Sequence, residues 1–202
     1  MPQIPDTRHS LLVQLKDHGD GAAWSEFLRL YEPVVYRLGR YFGLQDADAR
    51  DLVQDVLASI ARSVRDWEPD QQPGSFRKWL FRVAKNAACN LVRRGAGKQR
   101  GIGGTSFIQR LEAIAVDDPA ETRFELEYRR ETFRRAAETI RRDVDTRTWL
   151  VFQRTVVDEE PIADVASDLG ISVGSAYTAR CRVLARLKKE VERHRAPEER
   201  DD

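Results

Sequence analysis

Apolar residues recur along this chain at helical spacing. Trp24, Phe27, Leu28, Tyr31, Val34, Val35 and Leu38 fall on one face of a helix. Leu52, Val53, Val56, Leu57, Ile60, Ala61 and Val64 repeat the pattern, as do Phe76, Trp79, Leu80, Val83, Ala84, Ala87 and Leu91. Each stripe predicts an amphipathic helix with its apolar side turned to a core. Strand-like alternation is nowhere sustained, and no hairpin dipeptide separates two apolar runs. The three stripes predict a compact helical bundle ending near Arg94.

The pattern then breaks. Gly95, Gly97, Gly101, Gly103 and Gly104 crowd together, and the acidic, proline-containing Glu112, Asp117, Asp118, Pro119 and Glu121 follow. Such a stretch has low helical propensity and predicts a flexible linker over 96–121. Phe107, Ile108 and Leu111 inside it suit a short helix or a docking segment. Helical periodicity resumes near Thr122. Phe133, Ala136, Ala137 and Ile140 line one predicted helix; Trp149, Leu150, Phe152 and Val156 line the next. The fold class is therefore all-α: a first helical domain over 1–95, the linker, a second helical domain over 122–195, and a charged tail over 196–202.

The end of the second domain has the pattern of a helix-turn-helix. The run from Pro161 to Arg180 predicts a short helix ending at Leu169 and a turn at Gly170, where a positive φ is cheap only for glycine. Ser172 is a good N-cap for a second helix. Ala166 is small enough for close crossing, and Val165, Leu169, Ile171, Ala176 and Ala179 are the apolar set between the helices. Ser175, Tyr177, Thr178, Cys181 and Arg182 form a polar outer face suited to a DNA major groove. A plain helical hairpin would not need small residue, turn glycine, cap and polar face together.

Composition adds distribution rather than sign. Of the 202 residues 33% are charged, yet the net charge is only +1. No acid occurs between Asp70 and Glu112, a stretch with Arg77, Lys78, Arg82, Lys85, Arg93, Arg94, Lys98, Arg100 and Arg110. A second basic cluster follows the helix-turn-helix: Arg180, Arg182, Arg186, Lys188, Lys189, Arg193 and Arg195. Two basic faces on a neutral chain point to two contacts with a polyanion. The two cysteines, Cys89 and Cys181, lie far apart in sequence, and with three histidines offer no metal-ligand spacing. They are expected to be free thiols in a reducing cytoplasm. No apolar run approaches membrane length, so no membrane insertion is expected. Gly95-Ala96-Gly97-Lys98 lacks the first glycine of a phosphate loop and the hydroxyl residue that would hold magnesium. No nucleophile elbow or zinc-protease pattern occurs. The chain is read as no enzyme, with no cofactor.

Two segments of the first domain carry a resemblance. One is Asp48-Ala49-Arg50-Asp51-Leu52-Val53-Gln54-Asp55-Val56-Leu57; the other is Phe76-Arg77-Lys78-Trp79-Leu80-Phe81-Arg82-Val83-Ala84-Lys85-Asn86. Followed by a helix-turn-helix, they resemble a bacterial RNA polymerase sigma factor of the sigma-70 family, in its two-domain extracytoplasmic-function (ECF) group. The resemblance covers about residues 8–94 and 122–190.

It implies a factor that directs RNA polymerase to promoters and initiates transcription. The helix with Asp48, Asp51, Gln54 and Asp55 would dock on the clamp helices of the polymerase β′ subunit; acids there suit a basic groove. The next helix would face the −10 element, with Lys78, Arg82, Lys85, Arg93 and Arg94 on phosphates and Asn86 toward a base edge. Gln71 and Gln72, in the loop before it, would meet a base flipped from the non-template strand, with Trp67, Phe76 or Trp79 as a packing wall. Trp79 also falls in the apolar stripe, which assigns it to the core. Ser175, Tyr177, Thr178, Cys181, Arg182 and Arg186 would contact the −35 element. Tyr177 stands where related helices often carry arginine, and Asn90 where an acid is common. The second domain would also touch the β flap of core polymerase, and an anti-sigma protein is a further expected partner. The rival readings are a helix-turn-helix regulator acting without polymerase and an α-helical adaptor with no DNA function.

Overall fold

The structure, a computed structural model, describes residues 9–17, 19–68, 74–96 and 119–193. Regular structure among them is helical: α1 (His9–Leu15), α2 (Gly21–Tyr41), α3 (Asp46–Ser63), α4 (Ser75–Ala96), α5 (Pro119–Asp143), α6 (Thr146–Phe152), a π-helical turn (Gln153–Val157), α7 (Ile162–Asp168) and α8 (Val173–Arg193). The chain divides into two compact units, at Glu131/Thr132. The tail, and nearly all of the linker expected over 96–121, lie outside the described residues.

In the first unit, α2 starts where the Asp20 carboxylate accepts a hydrogen bond from the Ala23 amide at 2.9 Å. It ends at Gly43, whose φ of 87° lets the Leu44 amide return to the Gly39 carbonyl. At Gly39 α2 also approaches α3 closely. A Cβ there would lie 3.0 Å from Leu52 Cδ2 and 3.3 Å from the Ala49 Cβ. The apolar stripes read from the sequence meet in the core: Phe27, Tyr31, Val34 and Leu38 of α2, Leu52, Val56 and Ile60 of α3, and Phe76, Leu80 and Ala84 of α4 are all buried.

The beginning of α5 belongs to this unit too. Ala120, Phe124 and Tyr128 recur every four residues and enter the same core. Tyr128 stacks on Tyr31 with centroids 5.6 Å apart, and Phe124 packs against Phe81 at 5.9 Å. Charged side chains accompany them inward. Arg77 of α4 is 5% exposed, donates from Nε to Glu125 at 2.7 Å and lies 4.7 Å from the centre of the Tyr128 ring. Arg37 of α2 reaches Glu127 at 3.5 Å and Glu131 at 3.1 Å, both carboxylates being buried. The expected domain start at Thr122 is thus corrected. The helix begins at Pro119, a favoured first helical residue, and its stretch to Glu131 is part of the first unit.

The second unit holds two smaller clusters. Ala136 and Ile140 of α5 pack with Phe152, Val183 and Leu187. Val151, Val165, Ala166 and Ala176 make the other, with Leu169, Ile171 and Ala179 packed against it. Two residues expected in the core are instead exposed, Phe133 (48%) and Val156 (37%). Val156 continued the α-helical spacing of Trp149 and Phe152. The backbone widens to a π-helix at Gln153, and the changed pitch turns Val156 outward. Among the described residues no helix is long and apolar enough to cross a membrane.

Candidate nucleic-acid interface

Three exposed faces carry the residues singled out in the sequence. On α3, Asp48, Asp51 and Gln54 point to solvent, while Leu52, Val53 and Val56 hold the other side in the core. Asp55 lies between these faces and is ion-paired with Arg94 of α4. Two residues assigned to different partners, polymerase and DNA, are thus joined to each other. Beside Gln54 the α2–α3 surface forms a groove of about 400 Å³ lined by Glu32, Pro33, Tyr36, Arg50, Val53 and Gln54. Its rim is braced by Asp46, which accepts from the Tyr36 hydroxyl at 2.5 Å and from Arg50 Nε at 3.0 Å. The Tyr36 hydroxyl, helped by the Arg50 charge, holds the Asp46 carboxyl below its ordinary value. Sequence reading missed Glu32, Tyr36 and Arg50, because a groove between two helices leaves no mark on either stripe alone.

On α4, Lys78, Arg82 and Asn86 are exposed in one stripe, with Lys85 half-buried beside them and Arg93 and Arg94 exposed farther along. Arg77 is corrected: it belongs to the basic run by sequence but to the interior by structure. Burial opposes its charge, and Glu125 beside it more than offsets that, holding the guanidinium above its ordinary value. Gly74, with φ 81°, leads into α4 where a Cβ would lie 3.3 Å from Arg77. Gln71 and Gln72 lie outside the described residues. Of the three aromatics considered for a base wall, Phe76 is buried in the core. Trp67 and Trp79 flank it at 5.3 and 5.4 Å and are half-buried, so each keeps part of its surface in solvent.

The second unit contains the helix-turn-helix as read from the sequence. Gly170 has φ 62°. Ser172 Oγ accepts from the Ser175 amide at 3.1 Å, capping α8. Val165, Ala166 and Ala176 are buried where α7 meets α8. Arg154 anchors this arrangement from the π-helix, donating to Glu160 and to Asp168 near the end of α7. These carboxylates, Glu160 first, raise its affinity for the proton above the ordinary arginine value.

On the outer face of α8, Ser175, Tyr177, Thr178, Cys181 and Arg182 are all exposed. Thr178 and Arg182 turn toward α6, where they line a groove with Arg147, Ser172 and Ser175. Tyr177 sits on the neighbouring strip with Arg180 over its ring, 4.8 Å from the centroid. Arg180 was counted only as a charge in the sequence, yet it fixes one face of the tyrosine. Arg186 is exposed as well, and its Nη1 donates to the carbonyl of Asp143, the last residue of α5, at 3.2 Å.

Comparison with known proteins agrees with this layout. Residues 27–98 match the family model for sigma-70 region 2. The RNA polymerase sigma factor CnrH of Cupriavidus metallidurans is 25% identical over 94% of this chain and 99% of its own length. The ECF RNA polymerase sigma factor SigE of Mycolicibacterium smegmatis is 38% identical over 38% of this chain and 29% of its own. The ECF RNA polymerase sigma factor SigM of Mycobacterium tuberculosis is 26% identical over 85% and 78%. A solved structure of CnrH in complex with the cytosolic domain of CnrY aligns at TM-score 0.36 and 21% identity, covering 91% of this chain and 96% of that one. With the region 2 motifs on α3 and α4 and a helix-turn-helix behind them, the chain carries a sigma-70 region 2 over residues 27–98 and is similar along most of its length to RNA polymerase sigma factors, ECF factors among them.

Proposed function

We propose that this chain is a promoter-selecting subunit that binds core RNA polymerase, carries it to particular promoters and starts transcription there. One observation supports the reading above others: two separately cored helical units each expose a nucleic-acid-suited face, in the order −10 reader then helix-turn-helix. A regulator acting without polymerase would need no acidic α3 face, and an adaptor would need neither basic face. The chain itself performs no catalysis in this reading, and phosphoryl transfer stays with the polymerase. Its place of action is the bacterial cytoplasm, where the chromosome is.

The finer assignments belong to the same proposal. Asp48, Asp51 and Gln54 on α3 meet the β′ clamp helices, with Asp55 recruited from its pair with Arg94. Lys78, Arg82 and Lys85 hold phosphates near the −10 element, Asn86 approaches a base edge, and Gln71 and Gln72 meet the flipped base. Ser175, Tyr177, Thr178, Cys181 and Arg182 address the −35 element. Arg186, tied to Asp143, is available to DNA only by leaving that carbonyl. The β flap and an anti-sigma protein complete the set of partners. Run-off transcription with purified core polymerase on a promoter library tests the whole reading, and specific initiation dependent on this chain is the expected result. Asp51→Arg is expected to weaken core binding without loss of helicity, because reversing an exposed charge costs little stability but opposes a basic partner. A folded variant with unchanged core affinity would overturn the α3 assignment.

A further inference from the structure

The groove between α6 and α8 contains a cation that no reading of the recognition helix supplies. It has a volume of about 480 Å³, and among its lining residues are Arg147 of α6, Arg182 of α8, and the hydroxyl residues Ser172, Ser175 and Thr178. Both arginines are exposed, and neither has an ion-pair partner among the described residues. The adjacent acid, Asp145, is engaged elsewhere. It caps α6 by accepting from the Thr148 amide at 2.8 Å and from the Thr148 hydroxyl at 2.6 Å.

We propose that Arg147 and Arg182 together grip one backbone phosphate of duplex DNA in this groove, so that Arg147 sets the register of α8 on the −35 element. The inference rests on the promoter-binding function proposed above. Its chemistry follows from a count of donors. A phosphodiester only accepts hydrogen bonds and carries one negative charge. The two guanidiniums supply donors in planar forks and the opposite charge. Ser172 and Ser175 share a 2.8 Å hydroxyl–hydroxyl bond in which either oxygen can be the donor. That bond uses one of their two hydroxyl hydrogens and leaves the other for a ligand. Thr178 is different, since its hydroxyl already donates to the Gly174 carbonyl at 3.0 Å. The opening turn of α8 adds backbone amides that a helix cannot satisfy internally. The lining's charge and most of its free donors come from the two guanidiniums, which suits a singly charged acceptor such as a phosphate better than a neutral base edge.

The grip assigns Arg182 to positioning and leaves sequence reading to the strip of Tyr177 and its neighbours. The test uses the full chain in holoenzyme, bound to duplex promoter fragments whose −35 hexamers vary above a fixed −10 element. Arg147→Ala is expected to weaken all hexamers by the same factor and to lower the salt slope of binding by roughly one unit or less. A scan replacing single −35 phosphates with neutral methylphosphonates then locates the contact. One replacement is expected to weaken the wild-type complex and to have no further effect on Arg147→Ala. Circular dichroism confirms that the exposed substitution leaves the fold intact. Unchanged affinity and slope in Arg147→Ala, with Tyr177→Ala still shifting hexamer preference, overturns the groove and keeps the promoter-reading function. A change in which hexamer is preferred overturns the phosphate role by making Arg147 a base reader. If neither substitution nor any −35 replacement affects binding, the promoter-reading function fails along with the groove.

Discussion

Two pairs of arginines, one pair in each unit, are treated in opposite ways. In the first, Arg77 is withdrawn against Glu125 and under Tyr128, and Arg37 reaches two buried carboxylates. In the second, Arg147 and Arg182 face solvent across a groove, and the buried clusters contain only five and four residues. A large aromatic core can surround a paired charge, because neighbouring rings and carboxylates replace the water it loses. Two small clusters offer no such surround, and Arg147 and Arg182 stay exposed beside the groove, while Arg154 of the same unit keeps its partners Glu160 and Asp168. Charge read along a sequence therefore separates into an internal share and a binding share, and local structure decides which.

The sharpest way to break this comparison uses two adjacent residues of α4. Arg77→Ala removes one member of a buried pair and is expected to cost about 3–5 kcal/mol. Lys78→Ala, one position on and exposed, is expected to stay within about 0.5 kcal/mol. Urea unfolding of the full chain measures both, and equal costs would abolish the distinction between internal and binding charge. On the binding side, Arg182→Ala is expected to cost about 1–3 kcal/mol of −35 affinity in holoenzyme. The spread of that loss over a −35 library sharpens its role. A uniform loss marks a phosphate contact, and relaxed preference at one base pair marks a reader of guanine.

Caps give a smaller effect with a pH signature. Asp145→Ala is expected to destabilise α6 modestly at neutral pH, through loss of its N-cap. Bonds from the Thr148 hydroxyl and amide hold the Asp145 carboxyl below its ordinary value of 3.8. Its stabilisation is therefore complete above that value and is lost as pH falls through the lower, folded-state one. Unfolding curves of wild type and Asp145→Ala should converge in acid; a gap that persists at pH 2 would show that the cap does not act through its charge. Least affected should be Asp55→Asn, which weakens a part-exposed pair with Arg94 and is expected to cost under about 1 kcal/mol of stability. A larger loss in urea unfolding would place that pair with the internal charges instead.

Periodicity and turn chemistry carried much of this fold in readable form. The stripes through Phe27, Leu52 and Leu80 became the first core, and Gly170 and Ser172 made the turn and cap expected of them. What escaped has physical reasons. Ala120, Phe124 and Tyr128 keep a spacing of four, but Arg123, Glu125 and Glu127 around them read as a solvated face until their partners are known. Val156 failed because a π-turn alters pitch without a local sequence signal. The site was less legible than the fold. Which side of α8 faces α6, and hence Arg147, depends on packing between elements rather than on spacing within one.

The Arg180 guanidinium resting on the Tyr177 ring has a thermodynamic consequence. Immobilising a rotamer-rich side chain on binding commonly costs about 0.5–1.5 kcal/mol. Here part of that ordering is complete before DNA arrives, since the ring is already held on one face. Tyr177→Phe keeps the stack and loses only a hydroxyl, whereas Arg180→Ala leaves the tyrosine intact but frees it to rotate. The second change should therefore appear in calorimetry as a more unfavourable entropy of binding with little loss of enthalpy, a penalty for disorder in a residue that was never itself altered.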